Sequence, residues 1–249
     1  MAQAAEPESR SVTKSTAEPR WWIEPVATVV AFSLFVLYSA WDVLFHNTGQ
    51  YQNYISPYFS PNVGAWLGIH TIPAVLVAWV PLFFRASCYY YRREYYRAFF
   101  WDPPACAIAE RPRLYRGETK VPLVWNNLHR FFLYLAIIVV IFLWKDAVQA
   151  FIFPNGFGVG VGSLILLVNA ILLTVYTFSC HAFRHLVGGG LDCFSCQGRP
   201  TARYKLWRRV SEWNRHHGQW AWISMFWVWG TGIYVRLLLM GVIHDVRFF

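Results

Sequence analysis

Apolar residues gather into five windows, running approximately from Pro25 to Phe45, Val63 to Phe84, Phe131 to Phe153, Val159 to Leu186 and Trp220 to Ile243. Each is long enough to cross a hydrocarbon core of about 30 Å, which takes roughly 20 helical residues. Continuous runs such as Phe132 to Leu143 lack the alternation of a β-barrel. Helices also satisfy their backbone groups within one segment. The pattern predicts an all-α integral membrane bundle of five transmembrane helices over residues 21–249, preceded by a polar segment, residues 1–20. That segment carries Glu6, Glu8, Arg10, Lys14 and Arg20 and no small-residue cleavage pattern, so the first window reads as an uncleaved anchor.

Composition agrees with the pattern: 56% of the 249 residues are hydrophobic and 14% are charged, too apolar for an ordinary soluble domain. The net charge of +9 is unevenly spread. Eight basic residues lie from Arg85 to Lys120 and six from Arg199 to Arg215, while residues 47–62 and 154–158 hold none. The positive-inside rule then places the amino terminus and the loops of about 85–125 and 187–217 in the cytoplasm. Topology, anionic lipid or an acidic docked protein would each account for such a face. Nucleic acid is excluded as a partner for so apolar a chain.

This topology gathers metal-ligand chemistry on one side. Cys88 follows the second window, Cys106 shares its loop, His129 opens the third window, His181 and His185 close the fourth, and Cys193 and Cys196 form a C-x-x-C just after. A reducing compartment argues against disulfides, which favours metal or redox chemistry. A Rieske-type [2Fe-2S] cluster takes two Cys on one iron and two His on the other, and the inventory supplies both pairs. A haem b would use His129 with His181 or His185. A structural zinc site would draw on the same Cys and His residues in a non-redox adaptor. The other side offers only His46 with His70, which argues against a haem there. Cys180 reads as a small buried residue about 100° round the helix from His181, and His216 and His217, in a basic stretch, as solvated. Asp42, Lys145, Asp146 and Arg236 are costly in lipid and are expected to pair or snorkel. Ser87 to Trp101 interleaves tyrosine, arginine and other aromatic residues, as expected of an interfacial helix.

Several segments together resemble a family: Ser56-Pro57-Tyr58-Phe59-Ser60-Pro61, Ser87-Cys88-Tyr89-Tyr90-Tyr91-Arg92, Pro103-Pro104-Ala105-Cys106, Asn127-Leu128-His129-Arg130 and the His-rich end of the fourth window. Over about residues 21–247 the chain resembles the single-subunit membrane anchors of bacterial succinate dehydrogenases, most nearly the actinobacterial type with a Rieske-type cluster in place of haem. The resemblance implies a plasma-membrane subunit of complex II. It would dock a flavoprotein and an iron-sulfur protein on its cytoplasmic face and pass their electrons to menaquinone or ubiquinone, with no succinate chemistry of its own. Two ligand sets stay open: Cys88 and Cys106 with His129 and His185, or Cys193 and Cys196 with His181 and His185. Arg130, His181 and Arg184 are the residues expected to bind quinone, since a cation or donor beside a developing oxyanion favours its reduction.

Overall fold

A computed structural model describes residues 22–46, 48–62, 74–91, 98–99, 123–189 and 202–248. Helix α1 spans Ile23–Phe45, α2 Val75–Ala86, α3 His129–Gln149, α4 Val161–Phe178, α5 His181–Gly188, α6 Ala202–Arg215 and α7 His217–Leu239. Among the described residues, four helices (α1, α3, α4 and α7) are long and apolar enough to cross a membrane. Helix α2 is shorter, and residues 63–73, the first part of the second expected window, lie outside the described residues. The chain is a multi-pass helical membrane protein. Its lipid-facing positions are apolar and exposed, as at Leu37, Leu44, Ile141 and Ile223, which is how a chain solvated by hydrocarbon differs from a soluble one.

The connections at one end of the bundle carry two small hairpins that the hydrophobic pattern did not show. Gln50–Tyr51 (β1) pairs with Tyr54–Ile55 (β2), and Ile152–Phe153 (β3) with Gly156–Phe157 (β4). Gly156, at φ 114°, makes the second turn in a conformation that suits glycine. The Asn53 side-chain amide donates to the Ala150 carbonyl at 3.0 Å, so the two connections lie together. Asp245 accepts from the Tyr54 and Tyr234 hydroxyls, both at 2.6 Å, and from the Gly162 amide at 3.0 Å, which brings the carboxyl-terminal stretch to the same end. Beside it, Arg236 of α7 meets Asp42 of α1 at 2.6 Å, a buried pair that fulfils the expectation that these charges are not left alone in lipid. Asp146 accepts from the Ser60 hydroxyl of the first connection.

At the opposite end the fourth apolar window breaks earlier than its pattern suggests. Helix α4 stops at Phe178, Ser179 and Cys180 form the joint, and His181 and His185 belong to the separate helix α5. Cys180 is thus not on a continuous helix with α4. Its backbone is extended (φ −70°, ψ 154°) and it caps α5, its Sγ accepting from the Phe183 amide at 3.2 Å. Likewise α7 begins at His217, three residues before the fifth window. His217 is 6% exposed, so the expectation that it is solvated is corrected: the basic stretch before it ends at Arg215 and the chain turns inward.

Candidate redox site at the end of the bundle

The core at this end is built from Phe84, Cys88, Tyr91, Leu133, Tyr176, Cys180 and Met225, all buried. Within it the chain uses one arrangement twice. Phe84-Arg85-Ala86-Ser87-Cys88 ends α2, and Tyr176-Thr177-Phe178-Ser179-Cys180 ends α4, each an aromatic-x-x-Ser-Cys run. A buried histidine from the start of a later helix completes each half. His129 stacks on Phe84 with ring centroids 4.8 Å apart and planes 8° from parallel, and His217 stacks on Tyr176 at 5.0 Å and 11°. The Ser87 hydroxyl lies 2.9 Å from His129 Nδ1, and the Ser179 hydroxyl 2.8 Å from His217 Nδ1.

Proton counting fixes what these imidazoles offer. Each serine gives its hydroxyl proton to a carbonyl of the preceding turn, Ser87 to Phe83 at 2.6 Å and Ser179 to Tyr176 at 3.1 Å. A hydroxyl has one proton, so each must accept from the histidine, whose hydrogen then sits on Nδ1. Both Nε2 atoms therefore carry a lone pair. That of His217 lies 3.4 Å from Cys88 Sγ, close enough to accept the thiol proton.

The two thiols are also placed alike. Each precedes a helical stretch whose first amides point back at sulfur: those of Tyr90 and Tyr91 at Cys88, and those of Ala182 and Phe183 at Cys180. Burial pushes the Cys88 thiol up, against the opposing pull of these amides and of the Arg85 charge, and pushes Cys180 up to about 12. Both cysteines are therefore protonated thiols when free of metal, and binding a metal would release their protons. Among the described residues, no three His, Cys, Asp or Glu side chains converge on a single metal-sized point.

The residues singled out by sequence divide into three groups. Cys88 and His129 are in this core, each 2% exposed. His181 and His185 are exposed on α5, with their Nε2 atoms 2.9 Å apart, so one imidazole donates to the other, and Tyr89 edges His181 at 5.7 Å. Partial burial, with the charges of His185 and Arg184, holds the His181 imidazole below its usual pKa. Arg184 is occupied in joining helices: its Nε donates to Ser211 Oγ at 2.9 Å and its guanidinium covers Trp207 at 4.8 Å, both on α6. Arg130 is exposed and lies over Phe131. Cys106, Cys193, Cys196 and His70 lie outside the described residues. Sequence reasoning passed over Cys180 and His217, and the repeated aromatic-x-x-Ser-Cys run was the signal that pointed to the first of them.

A solved chain of the Mycobacterium smegmatis Sdh1 complex in the apo form matches with a TM-score of 0.79 and 36% sequence identity, over 98% of this chain and 98% of that one. No curated protein matches. The pattern of the actinobacterial succinate dehydrogenase subunit SdhC matches residues 23–241, nearly the whole bundle, and the chain belongs to that family.

Proposed function

We propose that the chain is the electron-transferring membrane anchor of a bacterial succinate dehydrogenase, with five crossings and a cytoplasmic amino terminus. In this reading it passes electrons from an iron-sulfur protein, docked with a flavoprotein on the basic face, to menaquinone or ubiquinone. The centre we assign is a Rieske-type [2Fe-2S] cluster held by Cys88, Cys180, His129 and His217. The observation that carries this assignment is the pair of matching half-sites, each giving one buried thiol and one buried imidazole held at Nδ1 by a serine, so that its lone pair is on Nε2. The donor set fits: two sulfurs for one iron, two neutral nitrogens for the other, and amides aimed at both sulfurs. Cys106, Cys193, Cys196 and His185 are not needed in it.

Such a cluster supplies one-electron transfer when bound, and its imidazole ligands raise its potential above that of an all-cysteine cluster. The protein's own residues do the rest. Ser87 and Ser179 fix the ring orientation and keep the proton on Nδ1, as outer-shell acceptors do for metal-bound histidines. Phe84, Tyr176 and Tyr91 keep water out. We assign quinone to the exposed edge beside His181 and Tyr89, where the His181 and His185 Nε2 atoms share a hydrogen bond along which a proton can pass. Arg130 is exposed at the start of α3, whereas Arg184 serves to hold α5 on α6.

Two observations favour this over its rivals. A haem held by His129 with His181 or His185 would draw on one buried imidazole and one exposed one, and His181 and His185 are instead turned to each other on α5. A tetrahedral zinc needs ligands converging on one point, while a binuclear cluster spreads four ligands over two metals. Metal and acid-labile sulfide analysis of the purified complex, with electron paramagnetic resonance of the reduced protein, tests the reading. A [2Fe-2S] signal is expected, lost in Cys180→Ser and His217→Ala and kept in His185→Ala. Zinc without iron, or a Soret band from haem, sinks it.

A further inference from the structure

Arg85 stands three residues before Cys88 and turns its guanidinium inward. One terminal nitrogen donates to the Tyr91 hydroxyl at 2.6 Å and to the Ala221 carbonyl at 3.2 Å, and the other to Ser224 Oγ at 3.0 Å. The planar group also covers the Tyr176 ring at 4.5 Å and the Tyr91 ring at 5.6 Å. These four residues are buried, and the groups they turn to Arg85 are all uncharged. Among the described residues no carboxylate pairs with it. Arg236 at the other end of the bundle shows the usual solution, a buried guanidinium against Asp42. A guanidinium does not give up its proton in a protein, so Arg85 keeps a full positive charge at the rim of the core. Holding a charge there without a counter-ion is costly unless another charge arrives to offset it. Its field reaches Cys88.

We propose that Arg85 is a built-in counter-charge that raises the midpoint potential of the cluster assigned above, and the inference rests on that assignment. Two ferric ions, two sulfides, two thiolates and two neutral imidazoles sum to zero charge. One electron from the docked iron-sulfur protein converts one ferric ion to ferrous, breaks no bond and leaves one negative charge in the pocket. Arg85, fixed by neutral partners, attracts that charge and is indifferent to the oxidised form. A guanidinium with a carboxylate partner would have its field cancelled, and among the described residues Arg85 has none.

A redox titration of the purified complex, followed by electron paramagnetic resonance, tests this with four variants. Arg85→Met removes the charge. Ser224→Asp leaves Arg85 in place and gives it a carboxylate partner, and Ser224→Asn is its neutral control. Arg85→Lys keeps the charge without the forked geometry. Arg85→Met and Ser224→Asp are expected to load iron and to shift the midpoint to lower potential, with Ser224→Asn and Arg85→Lys near the wild type. A wild-type midpoint in both Arg85→Met and Ser224→Asp overturns the inference and leaves the cluster assignment standing. Loss of iron from both, with a normal wild type, makes Arg85 a structural residue and overturns it as well. A wild-type complex with no cluster overturns the assignment itself.

Discussion

Ser87 and Ser179 each hold one imidazole by Nδ1, and each is itself held by a carbonyl one turn earlier. Removing such a hydroxyl loses about 1 kcal/mol of net hydrogen bonding, and the buried Nδ1 hydrogen is left without an acceptor, a further ~1–3 kcal/mol. The imidazole can then turn or move its proton to Nε2, the atom needed for ligation. Ser87→Ala and Ser179→Ala are therefore each expected to lower iron affinity by roughly 10- to 100-fold, the range typical of outer-shell partners, with little change in helix content. Iron retention during dialysis against a graded chelator, with circular dichroism as the control, measures both effects. Equal retention in wild type and variants would show that the stacked Phe84 and Tyr176 rings suffice to hold the histidines. His185 makes the contrasting case. Its partner is the exposed His181 rather than a buried serine, so His185→Ala leaves iron untouched.

The helices were legible to different degrees, for physical reasons. Long apolar windows announced α1, α3, α4 and α7, because a bilayer demands an uninterrupted run of such residues. The joint at Ser179-Cys180 was hidden, since no Gly or Pro marks it and Ala182, Phe183, Leu186 and Val187 carry the apolar pattern past it. The hairpins were hidden because two-residue strands leave no period to detect. Half of the site showed itself through Cys88 and His129. His217 was masked by the charges of Arg208 to Arg215, which describe the surface of α6 and say nothing of the turn that follows. The ion pair joining α1 to α7 was legible as a cost and is now a testable bond. Arg236 donates to Asp42 Oδ1 from Nε at 2.7 Å and to the Thr48 carbonyl at 3.2 Å, so it ties a helix and a loop together. Asp42→Asn strands a buried guanidinium and is expected to cost about 3–5 kcal/mol, whereas the double change Asp42→Asn with Arg236→Met should recover most of it. Thermal unfolding in detergent of the two singles and the double measures this. A double variant no better than Asp42→Asn would mean that the pair is not the source of the loss.

Across the whole molecule the chemistry is polarised. The hairpin end holds a neutralised ion pair and a carboxylate satisfied by two tyrosines, while the site end carries the basic helix α6 and Arg85, which has no carboxylate partner among the described residues. On α6 the exposed residues Arg203, Lys205, Arg208 and Arg209 accompany the exposed apolar Leu206 and Trp213, and only Val210 is buried. A helix of this kind beside the proposed electron entry suits an acidic protein surface that must dock repeatedly during assembly. Rim charges act chiefly on the rate of encounter, and the Debye length shrinks from about 10 Å at 0.1 M salt to about 3 Å at 1 M. Arg208→Glu with Arg209→Glu is thus expected to slow association of the soluble subunits with membranes carrying the chain, most at low ionic strength, while leaving iron content and the dissociation rate near wild type. Surface-binding kinetics over a salt series would show the two curves converging as salt rises. Unchanged association at low salt would instead turn this face toward anionic lipid headgroups, and the docking surface would have to be sought in the other basic loop.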